Sequence, residues 1–149
     1  MDLAELFAGR EAMIRDMQAR LQQIAAAEGL PLTERKRTCN SRRAQELGKW
    51  AESLGMGAEF HRAVYHAYFV TGVNIALIEE LLKIVAAVGL PLAEAEAVLA
   101  AGSFAPAVDA DWQRAGELRI TAVPTHLCGN RRLVGLYPYE AFVDLIGKS

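Results

Sequence analysis

The chain has 149 residues, 52% hydrophobic and 23% charged, with a net charge of −2. That balance fits one ordered domain with a real core, and it gives no global basicity to hold nucleic acid or an anionic membrane. No apolar run reaches the roughly 20 residues of a membrane span, and the opening Met1-Asp2-Leu3-Ala4-Glu5 lacks the basic n-region of a signal peptide.

Two cysteines, Cys39 and Cys128, lie 89 positions apart and form neither a Cys-x-x-Cys nor a zinc-ligand spacing. They read as reduced thiols of a cytoplasmic protein, with no metal and no cofactor expected.

In chain order, Asp2-Leu-Ala-Glu5 reads as a capping box that opens a short helix ending at Gly9. An amphipathic helix is expected from about Arg10 to Glu28, with Met13, Met17, Leu21 and Ile24 on its inner face. Gly29-Leu-Pro31 stops it. Arg35, Lys36, Arg37, Arg42 and Arg43 form a basic cluster. Without interleaved aromatics, the cluster reads as a solvated loop rather than a phosphate site.

Ser41 is the expected N-cap of a helix over Arg42 to Leu54 that buries Ala44, Leu47, Trp50, Ala51 and Leu54. A second helix, Ala58 to Val70, carries Phe60, Val64, Ala67 and Tyr68 on one face. Its His61 and His66 lie about 140° apart around the helix, too far to share a metal. Asn74 is expected to cap a helix from Ile75 to Val88, which is apolar nearly all round and so should be the most buried. Gly89-Leu-Pro-Leu92 repeats the earlier stop, and Pro91 suits the first turn of the next helix. A further helix runs from about Ala105 to Leu118 with Val108, Trp112 and Ala115 inward.

The pattern then changes. Ile120, Val123 and Thr125 favour a strand, as do Leu133 and Val134, and Gly129-Asn130 between them is a two-residue hairpin signal. Pro124 lacks an N–H and belongs at an edge, a bulge or a strand start. Pro138 opens a last helix to about Ile146, with Phe142, Leu145 and Ile146 inward. His126 and Cys128 fall on one strand face by period two. Such a pair can activate a thiol, although packing or edge exposure is its more common role.

Several of these features occur together: Asn40-Ser41 opening a helix, Ala67-Tyr68-Phe69 at a helix end, and an Asp109/Asp111 helix running into Ile120-Thr-Ala-Val-Pro124. A hairpin and Pro138-Tyr-Glu-Ala-Phe142 complete the series. In this order the chain resembles the DsbA-like thioredoxin-fold oxidoreductases, most closely the FrnE-like branch. The resemblance implies an α/β, helix-rich fold, with residues 1–116 as a helical subdomain and 117–149 as a C-terminal thioredoxin-like β-β-α unit. It matches Pro124 to the family's cis-proline, and it implies that Val123, Pro124 and Thr125 hold an extended peptide substrate.

The chain departs from the family where the strand–Cys-x-x-Cys–helix unit should stand. It is therefore expected to be a truncated member that is inactive in dithiol exchange on its own. Two alternatives are a non-catalytic binding or assembly module and a remnant of a glutathione-dependent kappa-like isomerase or transferase. A hairpin is marginal alone, so a homodimer is expected, paired through the Arg131–Gly135 strand because Pro124 donates no hydrogen bond.

Overall fold

The computed structural model describes residues 8–34 and 37–147. The capping box over Asp2 to Glu5 and the basic residues Arg35 and Lys36 lie outside them. Among the described residues the elements in order are α1 (Glu11–Ala27), α2 (Arg42–Ser53), α3 (Gly57–Phe69), α4 (Ile78–Ala87), α5 (Leu92–Ala101) and α6 (Ala105–Glu117). They continue with β1 (Thr125–Cys128), β2 (Arg131–Val134) and α7 (Tyr139–Gly147). The chain divides into two compact units, Met1–Val108 and Asp109–Ser149, with the boundary inside α6.

The helix stops of the first unit work as their chemistry dictates. After α1, Leu30 N–H donates to Ala25 O (2.8 Å) and Gly29 N–H to Ala26 O (3.1 Å), with Gly29 at φ 67°. After α4, Leu90 N–H donates to Val85 O (3.0 Å) and Gly89 N–H to Ala86 O (3.0 Å). Both are Schellman endings, in which a left-handed residue lets two otherwise orphaned carbonyls find donors. At the start of α1, Gly9 N–H donates to Glu11 Oε1 (2.8 Å), which holds that carboxyl below its usual range.

Four helices close a ring: α2 packs on α3 and α5, and α4 packs on the same two. Leu47, Phe60, Leu81 and Val85 are fully buried at its centre. Each such side chain contributes about 1.5–3 kcal/mol of transfer free energy. Where α2 meets α3, the His61 ring fills the space beside Gly48, and a Cβ there would sit 2.9 Å from His61 Cε1, so a side chain at 48 would displace that ring.

Glu46 is buried in α2 with its charge paired. Arg42 Nε lies 3.1 Å from Glu46 Oε1, and Arg42 Nη2 donates to Ala105 O (3.3 Å). Thr33 ties the preceding loop down, its N–H (3.0 Å) and Oγ1 (3.1 Å) both donating to Phe69 O.

Several expected placements are corrected. The most buried helix is α2, not the apolar helix after Asn74. That helix, α4, starts at Ile78 and buries only the stripe Leu81, Ile84 and Val85, while Leu77 and Ile78 stay exposed. Asn74 Oδ1 caps the turn before it, accepting from Ala76 N–H (3.1 Å).

Met13, Met17 and Leu21 are exposed, and in α1 it is Ile14 that is buried. The inner face is thus rotated from the one marked by the methionines. Leu54 is exposed just past the end of α2. Ser41 stands at the N-cap of α2 as expected, but its Oγ accepts from Gln45 Nε2 (2.9 Å) rather than from the backbone, and Asn40 Oδ1 accepts from Arg42 N–H (2.9 Å). Pro91 is the N-cap of α5 rather than its first helical residue.

In the second unit the hairpin pairs Thr125 with Val134, His126 with Leu133, Leu127 with Arg132 and Cys128 with Arg131. Gly129-Asn130 forms the turn, and only Gly129 takes positive φ (56°). That is the requirement of a II′ turn, where one central residue is left-handed. Ile120 and Val123 lie before the strand, which begins at Thr125.

α7 packs on β2. Leu145 is the one buried hydrophobic residue among those described in this unit. Trp112 (51% exposed) and Ile146 (65%) do not face inward as their helical spacing predicts.

Candidate functional site

The second unit presents Val123, Pro124 and Thr125 at the mouth of its hairpin. Val123 is 88% exposed and Pro124 is exposed beside it. The Val123–Pro124 peptide is cis. Gly135 N–H donates to Pro124 O (2.8 Å), extending the ladder by one pair beyond the strand ends. Thr125 Oγ1 donates to Ala122 O (2.6 Å), which fixes the chain immediately before the proline.

Two arginines of β2, paired with Cys128 and Leu127 toward the turn end of the hairpin, point to opposite faces of the sheet, as alternation along a strand requires. Arg132 donates through Nη1 to Arg119 O (3.3 Å) and through Nη2 to Leu118 O (3.2 Å), at the end of α6. Arg131 Nη1 donates to Leu145 O (3.0 Å), near the end of α7. Arg131 therefore meets one of the last carbonyls of α7, and Arg132 the two carbonyls just past the end of α6, where open acceptors and the negative end of the helix dipole favour a cation. These roles were missed in the sequence because they depend on tertiary contacts. The visible trace was a pair of adjacent arginines in a short strand.

Arg119 is the non-glycine residue with positive φ (53°) among those described. It ends α6 as Gly29 ends α1. Ile120 N–H donates to Ala115 O (2.9 Å) and Arg119 N–H to Gly116 O (2.9 Å).

His126 sets its ring edge-on against Phe142, with centroids 4.8 Å apart. Cys128 is half-buried at the end of β1 and outside any disulfide. Cys39 belongs to the first unit, where it borders a cleft of about 420 Å³ shared with His61, Tyr65, Tyr68 and Phe69. His61 Nε2 lies 3.2 Å from Glu52 Oε1. Among the described residues no group of three or more His, Cys, Asp or Glu side chains is placed to hold a metal ion, and no helix is long and apolar enough to cross a membrane.

A helix-rich chain that ends in a cis-proline, a β-hairpin and a terminal helix defines a thioredoxin-type class of protein. Residues 3–147 match the family model of the DSBA-like thioredoxin domain, so the chain belongs to the DsbA-like thioredoxin family. Its fold is similar to the crystal structure of a "putative protein disulfide isomerase" from Nitrosomonas europaea. The TM-score is 0.67 at 18% identity, covering 95% of this chain and 74% of that one. No curated protein matches the sequence.

Proposed function

We propose that this chain is the substrate-side part of a DsbA-like thiol–disulfide oxidoreductase of the FrnE-like branch, and that its 149 residues do not exchange dithiols by themselves. The observation that carries this reading is the open mouth at Val123, Pro124 and Thr125 in a family member with no Cys-x-x-Cys. An extended peptide laid along these residues meets exposed backbone on a braced, preformed edge.

Thiol–disulfide exchange needs a thiolate to attack one sulfur and a second, nearby thiol to resolve the mixed disulfide. Cys39 and Cys128 stand in different compact units, and His126 turns its ring to Phe142. In this reading the redox dithiol lies outside these 149 residues, the protein is cytoplasmic, and its partner in solution is a second copy.

The test follows reduction of a disulfide-containing peptide by dithiothreitol with and without the protein, alongside fluorescence anisotropy of the same peptide in reduced form. Binding without rate enhancement is expected. An enhancement abolished by Cys128→Ser would make Cys128 the working thiol and overturn the reading.

A further inference from the structure

The peptide edge proposed above is main chain, so its use depends on which way that main chain points. Val123 N–H and C=O have no partner among the described residues. Residues 120–124 belong to neither a helix nor a strand, so no regular ladder orients them.

The two ends of this stretch are held from outside it. Ile120 N–H donates to Ala115 O (2.9 Å), and Arg132 donates to Leu118 O and Arg119 O, which fixes where the stretch leaves α6. Gly135 N–H donates to Pro124 O (2.8 Å), which fixes where it enters the hairpin. Between these ends lies the bond from Thr125 Oγ1 to Ala122 O, at 2.6 Å.

That bond acts beyond the atom it touches. Ala122 C=O and Val123 N–H belong to one peptide unit, which is planar. The unit is trans, so its C=O and N–H point in opposite directions. A hydroxyl that holds Ala122 O toward Thr125 therefore keeps Val123 N–H pointing the other way. Threonine suits the task, because its branched Cβ restricts χ1 and so limits where the hydroxyl can lie.

We infer that Thr125 is a positioning residue of the peptide edge: its hydroxyl, through Ala122 O, aims Val123 N–H at the main chain of the bound peptide. The inference rests on the functional reading above and deepens it. The main chain of Thr125 remains part of the edge while its hydroxyl works on its own chain. A donor aimed before the peptide arrives does not have to be ordered on binding, and preorganisation of this kind raises affinity by lowering the cost of association.

The test removes the hydroxyl and keeps the shape. Thr125→Val retains the branched side chain and its preference for strands, whereas Thr125→Ser retains the hydroxyl. Fluorescence anisotropy of the reduced peptide on the full chain should give a Kd raised about tenfold by Thr125→Val and changed less than about twofold by Thr125→Ser. Thr125→Ala, which also lacks the hydroxyl, should weaken binding as Thr125→Val does. Protection of the β1 and β2 amides shows that the hairpin is intact in each variant.

Nuclear relaxation without peptide supplies the second readout. The order parameter of Val123 N–H should be about 0.85 in the unmodified chain and in Thr125→Ser, and should fall below about 0.6 in Thr125→Val. An order parameter that does not respond to loss of the hydroxyl overturns the inference. So does an order parameter that falls while the Kd stays unchanged. If the unmodified chain binds no peptide while the order parameter follows the hydroxyl, the functional reading falls and the aiming of Val123 N–H by Thr125 stands.

Discussion

The two compact units are held together by different physics. The first buries Leu47, Phe60, Leu81 and Val85 completely within its ring of four helices, α2 to α5. The second buries Leu145 and otherwise relies on directional bonds: a short ladder, Arg131 on Leu145 O, and Arg132 on the two carbonyls just past the end of α6. Apolar burial is non-directional and scales with area, so the first unit is stable on its own terms. Net hydrogen bonds are worth only about 0.5–1.5 kcal/mol each, so the second unit is shaped more than it is stabilised. A region of that kind suits the peptide edge proposed at Val123, Pro124 and Thr125, because it offers formed geometry with little of its surface already used.

The largest effect should therefore come from the first unit. Phe60→Ala removes a fully buried ring and should lower that unit's stability by about 3–5 kcal/mol. Leu145→Ala should cost about 2–3 kcal/mol and act on the second unit, leaving the unfolding of the first unchanged. Urea titration followed by hydrogen exchange separates the two responses. If both substitutions lower the same single transition equally, the units unfold together and the contrast fails.

Arg132→Ala should be smaller, about 1 kcal/mol, since it removes two bonds to exposed carbonyls. Its signature is local: amide protection should fall across Arg131–Val134 and not in α2. Arg132→Lys, with one compact cation in place of a planar fork, should recover only part of it. Equal protection in all three proteins would remove the arginine brace from the account.

Much of the first unit was legible because its signals are local. Gly29-Leu-Pro31 and Gly89-Leu-Pro91 announce their own helix ends, and the α2 face from Ala44 to Ala51 repeats at helical spacing. The hairpin turn at Gly129-Asn130 was equally plain. What failed was the choice of face where a helix has apolar residues on several sides. In α1, Met13 and Met17 compete with Ile14, and in α7, Ile146 competes with Leu145; periodicity alone does not say which stripe finds a partner. At the candidate site, Pro124 stood out as a proline in a strand-favouring run, and only the resemblance to the DsbA-like family marked Val123, Pro124 and Thr125 as a substrate edge. The direction in which Pro124 points required the ladder register, which depends on Gly135 eleven residues later.

The smallest predicted effect bears on the boundary between the two regions. α1 and α4 end in the same Schellman geometry as α6, but with Gly29 and Gly89 where α6 has Arg119. A side chain at left-handed φ costs about 1–2 kcal/mol from the clash of Cβ with the following carbonyl. Glycine removes that cost, although it also loosens the unfolded chain by about 0.4–1 kcal/mol. Arg119→Gly should therefore stabilise by a net of roughly 0.5–1 kcal/mol. Arg132 keeps its bond, because it is made to the main-chain oxygen of residue 119. Gly89→Ala inverts the experiment. It sits at φ 78° with open space around its Cβ, so backbone strain alone should destabilise it by a similar amount. The two urea midpoints should move in opposite directions. If Arg119→Gly lowers the midpoint, the arginine side chain holds more than its backbone conformation costs, and the end of α6 is a side-chain anchor rather than a strained turn.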